Sequence, residues 1–201
     1  MYKVYGMSAS GNCHKVRMVL EALRLSYTWS EIDPGRGETR SADFLAMNPN
    51  GKVPVLEIEP GVWMPESNAI LMYLADGSPL VPAARLPRAR ALQWMFFEQY
   101  SHEPFIAVAR YLHRFHPDPP SQRALAQSKL EGGYRALGVM EQQLRTEPFL
   151  VDGAYSVADI ALYAYTHVAG EGGFDLERFP AVRAWLARVE AQPGYVPMPR
   201  G

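Results

Sequence analysis

Asn48-Pro49-Asn50-Gly51-Lys52-Val53-Pro54-Val55-Leu56-Glu57-Ile58-Glu59-Pro60-Gly61-Val62-Trp63-Met64-Pro65-Glu66-Ser67-Asn68-Ala69-Ile70 holds a polar turn, two strand-like runs and the start of a helix in one stretch. Val55 to Ile58 reads as a strand. Glu59-Pro60-Gly61 is a turn, and Val62-Trp63-Met64 pairs back on the strand as a hairpin. Ser67 then caps a helix whose apolar positions are Ile70, Leu71 and Leu74.

Upstream, Tyr27 to Ile32 reads as a strand in which Tyr27 and Trp29 alternate with polar residues. A polar loop from Asp33 to Arg40 and a short helix carrying Phe44 and Leu45 join it to the hairpin. Before it, Val16, Val19, Leu20 and Leu23 recur at i, i+3, i+4 and i+7, which is one face of a helix. Tyr2 to Tyr5 is a short first strand. This order of elements is an α/β unit, and the crossover helix between the first two strands makes them parallel.

Downstream the texture changes. Gly77-Ser78-Pro79-Leu80-Val81-Pro82 has linker chemistry, with prolines that resist continuing a helix. Beyond about Leu86 nearly everything reads as helix. Pro87 suits the first turn of a long helix to about Phe115, which Pro104 should kink or locally break. His116-Pro117-Asp118-Pro119-Pro120 stops it. A second long helix runs from about Gln122 to Leu144, with Leu130, Tyr134, Leu137 and Leu144 inward and Gly132-Gly133 as its weak point. Shorter helices follow at about Ser156 to Ala169 and about Ala181 to Ala191, the last with Val182, Trp185, Leu186 and Val189 on one face. The expected organisation is an α/β domain over 1–76, a linker over 77–86 and an all-α domain over 87–201.

Composition narrows the function classes. The 201 residues are 48% hydrophobic, and 20 Lys and Arg face 21 Asp and Glu for a net charge of −1. That balance gives no footprint for nucleic acid or an anionic membrane. No apolar run approaches the roughly 20 residues of a membrane span, and the first residues lack the apolar core of a signal peptide. The lone cysteine, Cys13, excludes an internal disulfide and a multi-thiolate zinc site. A reducing cytoplasm is the expected setting. The histidines show no metal-ligand spacing, so no metal is expected.

Chemistry concentrates at the starts of helices. Ser10 lies just before the first turn of the first helix, where unpaired N–H groups and the helix dipole favour an anion such as a thiolate. Ser10 either caps the helix or donates its hydroxyl to that anion, and Asn12 has the same two options. Ser8 is a neighbouring hydroxyl two residues away. Glu66-Ser67 opens another helix, where a hydroxyl and free N–H groups make a carboxylate site and Glu66 can pair with an ammonium. Ser156-x-x-Asp159 matches a capping box with Asp in place of Glu and is assigned to structure.

Four of these features stand in order: Ser8-Ala9-Ser10-Gly11-Asn12-Cys13-His14-Lys15-Val16-Arg17, Asn48 to Leu56, Pro65-Glu66-Ser67-Asn68-Ala69-Ile70, and Ser156-Val157-Ala158-Asp159-Ile160. Together they resemble the cytosolic glutathione transferases along the whole chain. The likeness is closer to the bacterial theta- and nu-like branches than to the tyrosine-dependent classes. The resemblance implies a thioredoxin-like N-terminal domain followed by an all-α C-terminal domain, and glutathione as co-substrate.

It also implies roles for individual residues. Ser10 and Asn12 would be catalytic, holding the thiol as thiolate; Lys15-Val16-Arg17 fixes the register that favours Ser10 over Ser8. The Val53–Pro54 peptide would be cis, with the backbone of Val53 pairing with the cysteinyl unit. Glu66 and Ser67 would take the γ-glutamyl end, and Lys52 and Arg40 the glycyl carboxylate. Cys13 lies three residues past the cysteine of cysteine-type relatives and reads as a packing residue. An apolar electrophile would occupy a pocket between the domains walled by Met7, Ala9, Tyr100, His102, Phe105 and Tyr165. The resemblance also implies a cytoplasmic homodimer with a role in detoxification. Two other activities stay open: glutathione-dependent reduction of disulfides or peroxides, and a non-catalytic scaffold that binds glutathione. Zeta-type isomerase chemistry ranks low, because Ser10-Gly11-Asn12 stands where that class has Ser-Ser-Cys.

Overall fold

The computed structural model describes residues 1–116 and 120–199. It divides into two compact units, residues 1–76 with 193–199, and residues 77–192.

The first unit is built on a four-stranded sheet ordered β2-β1-β3-β4. β1 (Tyr2–Gly6) runs parallel to β2 (Tyr27–Glu31), with Val4 opposite Trp29. β3 (Val55–Glu59) lies antiparallel to β1 and forms a hairpin with β4 (Val62–Pro65). α1 (Gly11–Ala22) supplies the crossover, α2 (Ala42–Met47) follows β2, and α3 (Ser67–Ala75) follows the hairpin. The apolar period read in α1 is the buried face: Val16, Val19 and Leu20 are fully enclosed, with Val4, Leu56, Ile70 and Leu71. Gly6 makes the β1–α1 approach possible. A Cβ there would sit 2.9 Å from the Trp29 ring and 3.1 Å from Cys13 Sγ, closer than side chains pack.

The second unit holds α4 (Arg85–Phe97), α5 (Glu103–Phe115), α6 (Pro120–Leu144), α7 (Val157–Thr166) and α8 (Pro180–Glu190). The stop over 116–120 separates α5 from α6, and its residues 117–119 lie outside the described residues. The helix expected to kink or locally break at Pro104 is two helices joined by a wide π-helical turn, Glu98–His102. Pro104 sits in the first turn of α5. It has no N–H to return to the carbonyl four residues back and its ring crowds that position, so the preceding turn opens.

Gly132 and Gly133, read as a weak point, are contact points: a Cβ on Gly132 would run into the Phe105 ring, and one on Gly133 into Phe174. The core here is Ile106, Ala107, Ala109, Leu137, Tyr165, Ala169 and Phe174, with Leu130 and Tyr134 packed against it. The stretch 77–86 belongs to this unit. Leu80 and Val81 are buried, and Leu80 O accepts from Val157 N–H at 2.9 Å. Residues 193–199, in contrast, group with the first unit rather than with the helical domain drawn to residue 201. Gly194 comes against the backbone of Ala22 at the end of α1, closer than a Cβ would allow. No helix among the described residues is long and apolar enough to cross a membrane.

Candidate functional site

The β1–α1 loop is fixed first. Ser8 gives both its N–H and its hydroxyl to Glu31, each at 2.7 Å, and Trp29 Nε1 donates to the same carboxylate at 2.7 Å. Arg17 donates to Ser8 Oγ at 3.2 Å and stacks on Trp29 with its guanidinium 4.1 Å from the ring centre. Burial raises the Glu31 carboxyl, but the two Ser8 donors, Trp29 and Arg17 outweigh it and hold the group below the usual range. The Ser8 proton is thus committed to Glu31.

Two residues on, Ser10 N–H returns to Met7 O at 2.9 Å and the chain enters α1. Ser10 is its N-cap, with Oγ accepting from Cys13 N–H at 3.4 Å. Cys13 itself is fully enclosed. Burial pushes its thiol up to about 12, with the Ser10 hydroxyl the largest opposing influence. Cys13 is therefore a thiol at neutral pH and no nucleophile.

The start of α3 meets the start of α1. Ser67 is the first residue of α3 and is 5% exposed. Its Oγ lies 3.3 Å from Asn12 Oδ1 and 3.4 Å from Lys15 Nζ. Glu66, just before it, is exposed and has φ 71° and ψ 106°, a backbone conformation that costs a non-glycine residue of order 1–3 kcal/mol. Two helix N-termini, each with unpaired N–H groups, thus flank one polar cluster.

The 48–54 loop lies in the same unit. Asn48 is buried and ties the loop from inside, donating to Lys52 O at 2.8 Å and accepting from Asn50 N–H at 3.1 Å. Arg40 reaches this loop, donating to Asn50 O at 3.5 Å, and it and Lys52 are exposed there. The Val53–Pro54 peptide is cis. The ladders of β3 to both neighbours begin at Val55, so the backbone of Val53 stands beyond them.

In the second unit, Tyr100 is 85% exposed and Phe105 half-buried. Both line a cleft of about 490 Å³ with Phe97, Ser101, Pro104 and Val139. His102 and Tyr165 are not on an open wall. His102 is fully buried with Nε2 2.9 Å from Thr166 Oγ1, and Tyr165 is part of the core. Period and burial put them there: His102 closes the π-helical turn, and α7 is enclosed along its whole length. Arg110 is buried against Glu171 at 2.8 Å. Met7 is half-buried and Ala9 buried in the first unit. Among the described residues no group of three His, Cys, Asp or Glu side chains is placed to hold a metal ion.

The family models of the glutathione S-transferase N-terminal and C-terminal domains match residues 9–76 and 96–193. A crystal structure of a glutathione S-transferase from Pseudomonas fluorescens Pf-5 is 54% identical over 98% of each chain, with a TM-score of 0.96. The chain belongs to the glutathione transferase family.

Two other members bear on the chemistry. The disulfide-bond oxidoreductase YfcG of Escherichia coli K12 is 29% identical over 90% of this chain and 87% of its own. The glutathione transferase URE2P8 of Phanerochaete chrysosporium, solved with oxidized glutathione, is 27% identical over 96% of this chain and 90% of its own, with a TM-score of 0.84. Relatives in this family therefore bind glutathione. For this transferase-family chain, three residues at the site escaped the reading of motifs. Glu31 stands in none of the four motifs, and Asn48 opens one of them without a role of its own. Lys15 served only to fix the register, although it stands one turn from Asn12 and from Val19, on the flank of the apolar face.

Proposed function

We propose that this protein binds glutathione along the first unit and activates its thiol as thiolate, for attack on an apolar electrophile. The observation that carries the reading is the meeting of the α1 and α3 N-termini through Asn12 and Ser67, beside Ser10. Glutathione presents a thiol between two anionic ends, and the site offers matching groups. The first N–H groups of α3, at Ser67, suit the γ-glutamyl carboxylate, and exposed Glu66 suits the ammonium. The free backbone edge at Val53, ahead of Pro54, suits the cysteinyl amide in the manner of an added strand. Arg40 and Lys52 on the 48–54 loop suit the glycyl carboxylate.

The sulfur then falls to the start of α1. With Ser8 spent on Glu31, Ser10 is the hydroxyl placed to donate to it, and Asn12 supplies amide N–H donors, as in serine-type theta- and nu-like members. Donors and a helix N-terminus that favour the charged form lower the thiol pKa. Binding then brings nucleophile and electrophile together. The cleft of the second unit that Tyr100 and Phe105 line offers apolar walls for the electrophile. The family likeness carries a cytoplasmic homodimer with this reading.

A second reading uses the same thiolate on sulfur, and the likeness to the disulfide-bond oxidoreductase YfcG favours it. The thiolate attacks a disulfide, forms a mixed disulfide and releases one thiolate; a second glutathione then yields oxidized glutathione and the second thiol. Because Cys13 is enclosed, both sulfurs come from glutathione. The test is turnover against a panel of aryl halides, enones and dialkyl disulfides, in wild type and Ser10→Ala. The expected loss in kcat/KM for Ser10→Ala is roughly 100- to 1000-fold, the usual effect of removing one donor to a reacting anion. Unchanged turnover would remove Ser10 from the chemistry.

A further inference from the structure

Lys15 is charged and has no exposed surface. It stands on the inward face of α1, next to Val16 and one turn from Asn12. An ammonium buried this way costs several kcal/mol unless hydrogen bonds replace its water. Its Nζ lies 3.4 Å from Ser67 Oγ, and Ser67 Oγ lies 3.3 Å from Asn12 Oδ1.

The chain of hydrogen bonds has a direction. An ammonium has donors and no acceptor, so Ser67 Oγ accepts from Lys15. Its proton, turned away from the ammonium, is given to Asn12 Oδ1. Asn12 is thereby held with Oδ1 toward Ser67, and this fixes the direction of its Nδ2 donors.

We propose that Lys15 is a positioning residue which, through Ser67, orients the Asn12 amide so that its N–H donors rather than its oxygen face the glutathione sulfur. This rests on the placement of the thiol at Ser10 and Asn12 given above. With an apolar side chain at position 15, the Ser67 hydroxyl can turn its proton away from Asn12. Asn12 then gains a second orientation in which Nδ2 donates to Ser67. In that orientation the carbonyl oxygen faces the sulfur and repels the thiolate.

The experiment titrates glutathione bound to the protein by thiolate absorbance, in wild type, Lys15→Met, Lys15→Arg, Asn12→Ala and the Lys15→Met/Asn12→Ala double variant. Lys15→Met is expected to raise the bound thiol pKa by about one, a roughly tenfold loss of thiolate near neutral pH. Lys15→Arg also has donors only and restores the wild-type value. In the Asn12→Ala background, Lys15→Met adds nothing further. Ser67→Ala removes the middle link and gives the same rise, so it decides the matter if Lys15→Met does not fold. A folded Lys15→Met or Ser67→Ala protein that binds glutathione with the wild-type thiol pKa overturns the proposal. A rise that persists undiminished in the Asn12→Ala background overturns it too, because Lys15 then acts only as a charge. A wild type that leaves the thiol pKa unlowered refutes the underlying reading, visibly and without any variant, and the proposal falls with it.

Discussion

At Ser8 and Ser10, two hydroxyls two residues apart, the neighbours decide the roles. Ser8 faces a carboxylate and gives up its proton, whereas Ser10 accepts the N–H of Cys13 as the cap of α1. The register already favoured Ser10, but this physical reason was not legible in the sequence, because Glu31 is brought in from the end of β2 by the parallel pairing with β1. The role of Cys13 was legible. It lies on the apolar face of α1, and enclosure raises its thiol to about 12. Iodoacetamide at neutral pH is therefore expected to leave Cys13 unmodified in the native protein over hours and to alkylate it on unfolding. Rapid native-state labelling would show the α1–β1 packing to be open.

The capping box at α7 shows what an element gains from one carboxylate. Asp159 accepts from Ser156 N–H at 3.0 Å, completing the box, and also from Leu150 N–H at 3.0 Å and Trp185 Nε1 at 2.9 Å. The Ser-x-x-Asp spacing was legible; the reach to α8 and to the loop before α7 was not, since those partners are distant in sequence. Asparagine at 159 would turn an NH₂ group toward one of these donors, so Asp159→Asn should cost roughly 2–4 kcal/mol. Burial also raises the Asp159 carboxyl from 3.8 to about 6. A carboxyl whose pKa is higher folded than unfolded binds a proton on folding, so its contribution is full below the lower value and is lost as pH rises through the higher. The stability gap between wild type and Asp159→Asn should thus be about 1 kcal/mol larger near pH 5 than near pH 7.5 in urea titrations. A gap independent of pH would place the Asp159 carboxyl at its ordinary value. A carboxylate sequence reading missed serves α8 in the same way: Glu141, buried on α6, accepts from Ala181 and Val182 N–H at 3.0 Å each.

Across the whole molecule, the order of elements and the change from α/β to all-α texture near residue 77 were readable from periodicity and turn residues alone. The tail was not, because 193–199 has no period to follow. Its grouping with the first unit depends on Gly194, which has φ 79° and meets the backbone of Ala22. Gly194→Val should cost about 1–3 kcal/mol through strain and overpacking, measured by denaturant unfolding. No loss would mean the tail does not stabilise the first unit. The proposed glutathione site follows the same division. Ser10, Asn12, Val53, Pro54, Glu66 and Ser67 are named from local motifs, whereas Lys15 and Glu31 bond to partners that only the fold brings near. The most direct measurement of the central claim is the pKa of the glutathione thiol bound to the wild-type protein and to Ser10→Ala, from thiolate absorbance against pH. The account predicts a bound thiol well below the free value of roughly 8.5, raised again by the substitution. A bound thiol that titrates as free glutathione does, or one that Ser10→Ala leaves unmoved, would contradict it.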